Sequence, residues 1–168
     1  EGFPTVETYQ SIAKFKNDLA DGKISYPVFV KPNKGSASIN INEVEEDIQL
    51  DLLFSTSEDL IIQEFMDGEE YGIDAYIDLI SGEVISLFIK KKIVMRAGET
   101  DKSVSVHDEK LSELIISFLN SSGYRGIVDI DVFKVGEQYY ISEVNPRFGG
   151  GYPHGHECGV NVPNMIVK

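Results

Sequence analysis

Gly126-Ile127-Val128-Asp129-Ile130-Asp131-Val132-Phe133-Lys134 is followed, after a short polar connection, by Tyr140-Ile141-Ser142-Glu143-Val144-Asn145-Pro146-Arg147. The fold reading turns on this stretch. Side chains of a strand point to alternate faces. Asp129 and Asp131 therefore share one face, and Val128, Ile130 and Val132 the other. Glu143 and Asn145 likewise share a face, and Gly136 marks the turn of a hairpin. For Asp131 to lie opposite Glu143, paired residue numbers must sum to an even number. An odd-length loop such as Gly136-Glu137-Gln138, or a β-bulge, would supply that. The same register sets Asp129 against Asn145. Like charges directly opposed across a sheet are destabilising, and a cation between them removes the conflict. Hard oxygen ligands of this kind suit Mg2+, which keeps waters and binds phosphate oxygens. A solvent-facing acidic side of a sheet would read the same way so far. Asn145-Pro146-Arg147 favours the metal, because an amide oxygen is a further ligand and a guanidinium just beyond it can clamp a phosphate.

Outward from the hairpin, hydrophobic period and turn residues set the other elements. A helix is expected over 8–20, with Ile12, Phe15 and Leu19 on one face and Gly22 as its stop. Strands are expected over 27–31 and 60–65, a small polar turn over 32–38, and an extended return over 38–41. A second helix is expected over 43–54, with Val44, Ile48 and Leu52 at period four. Two strands, 70–79 and 83–94, flank a turn at Ser81-Gly82, and 95–103 reads as loop. Leu111, Leu114, Ile115, Phe118 and Leu119 mark a strong amphipathic helix closed by Gly123. The Gly- and Pro-rich tail after Asn145 reads as loop, with the first turn of a helix at 164–168. Strands outnumber helices and come in hairpins, which predicts an α+β fold rather than a doubly wound parallel sheet. Two small lobes are expected, 1–66 and 67–168, with a cleft between antiparallel sheets.

A chain of 168 residues can bury a real core. No apolar run approaches the ~20 residues of a membrane helix. The lone Cys158 excludes an internal disulfide and fits a reducing, cytoplasmic setting. A net charge of -13 argues against nucleic acid as the partner. It does not exclude a phosphate ligand, since local field decides in a cleft and a metal brings its own charge.

Lys31 ends an apolar strand, which gives it a fixed stem and a free ammonium. Pro32-Asn33-Lys34-Gly35-Ser36-Ala37-Ser38 follows. A loop of such small residues offers backbone N–H groups to phosphates, although plain turns share that composition. The patterns GxxxxGK[ST] and GxGxxG are absent. Further on, Ile61-Ile62-Gln63-Glu64-Phe65-Met66-Asp67-Gly68-Glu69-Glu70 leaves a strand for a short connection. Such a strand end can offer a backbone donor and acceptor to an adenine edge, and a carboxylate beyond can take ribose hydroxyls. Strand, turn, strand is the plainer reading.

Taken in order, these segments resemble the ATP-grasp superfamily, in its carbamoyl-phosphate-synthase-like and D-alanine–D-alanine-ligase-like branches. The residues that carry the resemblance are Tyr26-Pro-Val-Phe-Val-Lys31-Pro32 with Gly35-Ser-Ala-Ser-Ile39; Gln63-Glu-Phe-Met-Asp-Gly68-Glu-Glu70-Tyr-Gly-Ile-Asp74; and Asp131 with Glu143-Val-Asn145-Pro-Arg147. The resemblance implies an ATP-grasp fold and the cofactors ATP and Mg2+, with two ions and Mn2+ able to substitute. It implies that Lys31 contacts the α/β-phosphates and that the loop with Lys34, Ser36 and Ser38 covers the triphosphate. Gln63 would face the adenine amino group, the backbone of Glu64 and Met66 the adenine edge, and Glu70 the ribose. Asp131, Glu143 and Asn145 would hold the metal, with Arg147 on the transferred phosphoryl group. The implied chemistry is ligation of a small-molecule carboxylate to an amine or similar nucleophile through an acyl phosphate. It needs no protein nucleophile, only alignment and charge neutralisation. Family members also carry an upstream domain, so the chain reads as a fragment whose partners are further domains of a full-length protein. The resemblance leaves room for a homo-oligomer.

Arg96-Ala-Gly-Glu99-Thr-Asp-Lys102 reads as an acceptor-side loop in which Arg96 could pair with a substrate carboxylate; a plain surface loop reads equally well. Phe148-Gly149-Gly150-Gly151-Tyr152-Pro153-His154-Gly155-His156 lets backbone approach a ligand closely. Its two histidines read as substrate contacts or exposed residues rather than zinc ligands. Two other function classes stay open: a phosphotransferase that stops at a phosphorylated product, and a non-catalytic nucleotide-binding regulatory module.

Overall fold

The computed structural model describes residues 2–34, 41–57, 59–96 and 99–167. The chain forms two compact units, Val6–Asp67, and Gly68–Lys168 joined by Glu1–Thr5. Each unit is an antiparallel sheet with helices on a face, so the class is α+β.

The Val6–Asp67 unit contains β1 (Thr8–Tyr9), α1 (Ile12–Ala20), β2 (Val28–Pro32), β3 (Asn42–Val44), α2 (Asp47–Thr56) and β4 (Leu60–Glu64). Its sheet runs β1-β4-β2-β3. The helix expected over 8–20 starts later. Thr8 and Tyr9 pair with Gln63 and Ile62, and the Ser11 hydroxyl then caps α1 by accepting from the Lys14 N–H at 3.3 Å. Helix α2 also departs from expectation. Val44 belongs to β3, Leu50 is the residue α2 buries fully, and Ile48 and Leu52 are 74% and 66% exposed. Its inward face is Leu50, Leu53 and Phe54, at i, i+3 and i+4. The core packs Tyr9, Val28, Val30, Val44 and Ile62 of the sheet against Phe15 and Leu50 of the helices. Alternation leaves Phe29, Lys31, Ile61 and Gln63 on the opposite face.

The second unit contains β5 (Glu69–Ile77), β6 (Val84–Arg96), β7 (Glu99–Ser105), α3 (Glu109–Ser122), β8 (Gly126–Val135), β9 (Gln138–Asn145), α4 (Tyr152–Glu157) and α5 (Val162–Ile166). Its sheet runs β7-β6-β5-β8-β9. Asp108 caps α3 by accepting from the Leu111 N–H at 2.9 Å, and Gly123, in the left-handed region, ends it. Leu111, Ile115 and Leu119 of α3 cover Ile73, Ala75, Ile77, Val128, Ile130 and Val132, forming the larger core.

Three expectations fail in this unit. Of the loop expected over 95–103, the described residues 95–96 and 99–103 are strand, because β6 and β7 pair up to Arg96 and Glu99. The tail is not irregular either. Pro153 stands in the first turn of α4, where its missing N–H costs nothing, and the Tyr152 hydroxyl ties the segment together by donating to Val160 O and accepting from Val162 N, both at 2.9 Å. Finally, residues 1–5, assigned to the first lobe, join the second unit: the Ile141 N–H donates to Pro4 O at 3.0 Å, and Thr5 bridges Ile141.

No helix among the described residues is long and apolar enough to cross a membrane.

Candidate functional site

The hairpin β8–β9 has a two-residue turn, with Val135 opposite Gln138, which by itself gives an odd sum. A bulge between Asp131 and Val132 corrects the parity: Val132 faces Ile141, Asp131 faces Glu143, and Ser142 is the extra residue. Asp129 faces Asn145. The four polar side chains therefore lie on the face of the sheet away from α3. The Asn145 amide donates to Glu143 Oε1 at 3.0 Å. The Arg147 N–H closes a tight turn onto Asn145 O at 2.8 Å, and its guanidinium donates to Phe148 O at 2.9 Å and to Asp129 Oδ2 at 3.5 Å.

Neighbouring strands extend the same face. Gly72 and Asp74 of β5 oppose Asp131 and Asp129, and Gly72 also opposes Lys90 of β6. Lys92 reaches across to donate to Glu70 Oε1 and Asp131 Oδ1, each at 2.7 Å, with its side chain 8% exposed. Burial alone would pull the Lys92 ammonium down, but Asp131 and Glu70 outweigh it and hold it above the usual lysine range. Lys90 is paired with Asp74, and each is 1% exposed. Burial, only partly offset by Lys90, pushes the Asp74 carboxyl up, and its Oδ1 is the one buried side-chain oxygen without a hydrogen bond among the described residues. Burial, then Asp131 and Asp74, push the Asp129 carboxyl up to about 6.

Gly149 and Gly151 press on these groups. A methyl on Gly149 would fall on the Asp129 carboxylate, and one on Gly151 would stand 2.8 Å from Lys90 Cε. Gly149→Ala is therefore expected to destabilise the fold by about 1–3 kcal/mol, the usual cost of overpacking. Chemical melts of Gly149→Ala, Asp129→Ala and the double variant test this. The double should cost less than the sum of the singles; a simple sum would mean that the two residues do not collide. His154 on α4 reaches Ser103 Oγ at 2.7 Å and stacks edge-on against Phe88, while the exposed His156 lies against Tyr152.

Other predicted residues are placed as follows. Lys31 opposes Ile61, on the face of Phe29 and Gln63. Gln63 is buried and donates to Thr8 Oγ1 at 3.3 Å. The Glu64 N–H donates to Glu7 O at 2.9 Å. Met66 lies just past the end of β4, and Lys34 is exposed beyond β2. Ser36 and Ser38 lie outside the described residues. Arg96 ends β6, 80% exposed and 3.9 Å from Asp101. The sequence reading placed Asp129 on the polar face, as the register shows, but missed Lys92, Lys90 and Asp74 as its members. Its available signal was a charge set in the apolar run Tyr71-Gly-Ile-Asp74-Ala-Tyr-Ile77, which demands a buried partner.

Among the described residues no three or more His, Cys, Asp or Glu side chains are grouped to hold a metal. An ion at β8–β9 would use the Asp131 and Glu143 carboxylates and the Asn145 amide, completed by phosphate and water oxygens. That donor set fits Mg2+, which is seldom caged by protein alone.

An ATP-grasp domain model matches residues 4–151. The chain belongs to the ATP-grasp family. A D-alanine–D-alanine ligase of Nitratiruptor sp. is 28% identical over 158 residues, covering 82% of this chain and 45% of the ligase. A carbamoyl phosphate synthase large chain of Lachnoclostridium phytofermentans is 24% identical over 152 residues, covering 81% of this chain and 14% of that one. This ATP-grasp chain thus spans less than half of either relative. Among solved structures, a biotin carboxylase–β,γ-ATP complex from Campylobacter jejuni superposes with a TM-score of 0.75 at 16% identity, over 99% of this chain and 42% of that one. At that identity the match speaks to the ATP-grasp fold alone.

Proposed function

We propose that this chain is the nucleotide-binding core of an ATP- and Mg2+-dependent ligase that activates a carboxylate as its acyl phosphate for attack by an amine or similar nucleophile. The observation that carries the reading is the β8–β9 register, which sets Asp131 opposite Glu143 and Asp129 opposite Asn145 on one face, with Arg147 just beyond. Asp131, Glu143 and Asn145 would hold the metal, as two Mg2+ ions for which Mn2+ could substitute. When bound, the ions screen the triphosphate charge and polarise the transferred phosphoryl group.

The protein's own groups do the rest. Arg147 steadies the equatorial phosphoryl oxygens. Lys31 takes the α/β-phosphates, and the loop with Lys34, Ser36 and Ser38 covers them. Glu70 takes the ribose hydroxyls. On the adenine edge, the Glu64 N–H is already bonded to Glu7, so its carbonyl is assigned as the acceptor and the Met66 N–H as the donor. Gln63 supports that edge from β4, and Arg96 pairs with a substrate carboxylate. A carboxylate oxygen attacks the γ-phosphorus, the bond to the β,γ-bridging oxygen breaks, and ADP leaves. The amine then attacks the acyl carbon, loses a proton, and phosphate leaves. Catalysis is alignment and charge stabilisation. Small-molecule substrates, cytoplasmic location and further domains of a longer protein belong to the same reading.

The test is ADP release from the full-length protein with carboxylate–amine pairs, with products read by mass spectrometry. The expected result is a new amide, and a hydroxamate when hydroxylamine replaces the amine. A phosphorylated product accumulating without amide would overturn the ligase in favour of a phosphotransferase.

A further inference from the structure

Among the described residues, Glu70, Asp74, Asp129, Asp131 and Glu143 lie on or border the polar face of the second sheet, against Lys90, Lys92 and Arg147. Two pairs of these are like charges in direct register, Asp74 with Asp129 and Asp131 with Glu143. Such pairs cost stability unless a cation joins them. Lys90 is committed to the buried Asp74, and Arg147 reaches Asp129. Lys92 is the cation on Asp131, and it holds Glu70 at the same 2.7 Å.

The route it takes is built for the purpose. To reach Asp131 on β8 from β6, the lysine must cross β5, and it does so beside Gly72. A Cβ there would stand 3.4 Å from Lys92 Cε and 3.1 Å from Lys90 Cε. The missing side chain opens a lane for both stems.

We infer that Lys92 is a resident counter-cation: it occupies the metal carboxylate Asp131 and the ribose carboxylate Glu70 until the metal arrives with its nucleotide. A divalent ion on Asp131 and an ammonium on the same carboxylate repel at this range, so the metal alone has to displace Lys92. Metal accompanied by a nucleotide brings phosphate charge that offsets the displaced ammonium. The device therefore suppresses metal binding without nucleotide. It rests on the proposed assignment of Asp131 to the metal.

The test measures Mn2+ binding to the full-length protein by electron paramagnetic resonance, with and without ADP. The proteins are wild type, Lys92→Met, Lys92→Met with Glu70→Gln, and Asp131→Asn. The double variant removes the excess negative charge that could unfold the single. Without ADP, Mn2+ is expected to bind Lys92→Met and the double variant about tenfold more tightly than wild type, the effect of uncovering a partly buried carboxylate. Unchanged or weaker Mn2+ binding in the folded double variant, with Mn2+·ADP binding lost in Asp131→Asn, would overturn the counter-cation and leave the metal site standing. Wild-type Mn2+·ADP binding in Asp131→Asn would overturn the metal assignment, and the inference with it.

Discussion

Glu143→Ala is expected to lower turnover by on the order of 10²–10³-fold, the usual cost of removing one preorganised electrostatic contact to a developing charge. Glu143 stands opposite Asp131 and accepts from the Asn145 amide. Its loss removes one of two carboxylates from the proposed metal set and unties the amide that supplies the third oxygen. Phosphoryl transfer leans almost wholly on such positioning and charge, so the loss falls on turnover. The side chain is exposed, and surface substitutions typically change stability by no more than about 0.5 kcal/mol. Steady-state ADP release beside a thermal melt therefore separates the two effects. Near-normal turnover in a folded Glu143→Ala protein would remove Glu143 from the site.

Lys90→Ala should act in the opposite way, on the fold. Lys90 and Asp74 are each 1% exposed, and Asp74 Oδ1 has no hydrogen bond. Removing the lysine strands a buried carboxylate, which typically costs about 3–5 kcal/mol. For a chain of this size that corresponds to a melting temperature lower by roughly 10 °C. Lys90→Met combined with Asp74→Leu removes both charges while keeping the volume, and is expected to come within about 1 kcal/mol of wild type or better. The pair then matters for placing Gly151, whose backbone packs on Lys90 Cε, more than for net stability. Differential scanning calorimetry of both variants decides. A double variant as unstable as the single would mean that lost packing, rather than a stranded charge, sets the cost.

The β8–β9 hairpin was legible in the sequence because its evidence is local. Period-two alternation puts Asp131 and Glu143 on faces that only a bulge or an odd loop can reconcile, and the bulge at Ser142 supplies the reconciliation. Helix α3 was legible for the same reason, with five apolar residues at helical spacing and Gly123 behind them. Lys92 was not. Lys90-Lys91-Lys92 reads as one charge run, and only the order β6-β5-β8 shows that Lys90 and Lys92 point to the acidic face while Lys91 meets Glu69. Strand order across three segments is tertiary information that no window of sequence holds. Helix α2 misled in another way. Val44, Ile48 and Leu52 fit period four, yet Val44 is a strand residue, and the helix turns Leu50, Leu53 and Phe54 inward. Two apolar stripes on one short segment leave the choice to the sheet beneath. Strand β7 was hidden by polarity, since Glu99–Ser105 is an edge strand with little to bury.

The proposed oxygen ligands of β8–β9, Asp131, Glu143 and Asn145, are expected to bind a divalent ion together with a nucleotide. Calorimetric titration of the full-length protein with ATP, in Mg2+ and in a chelator, is the decisive test. Affinity that falls at least tenfold when Mg2+ is withheld, about 1.4 kcal/mol, is the predicted result. ATP binding equally well with and without Mg2+ would contradict it, and would describe a regulatory nucleotide module rather than a ligase.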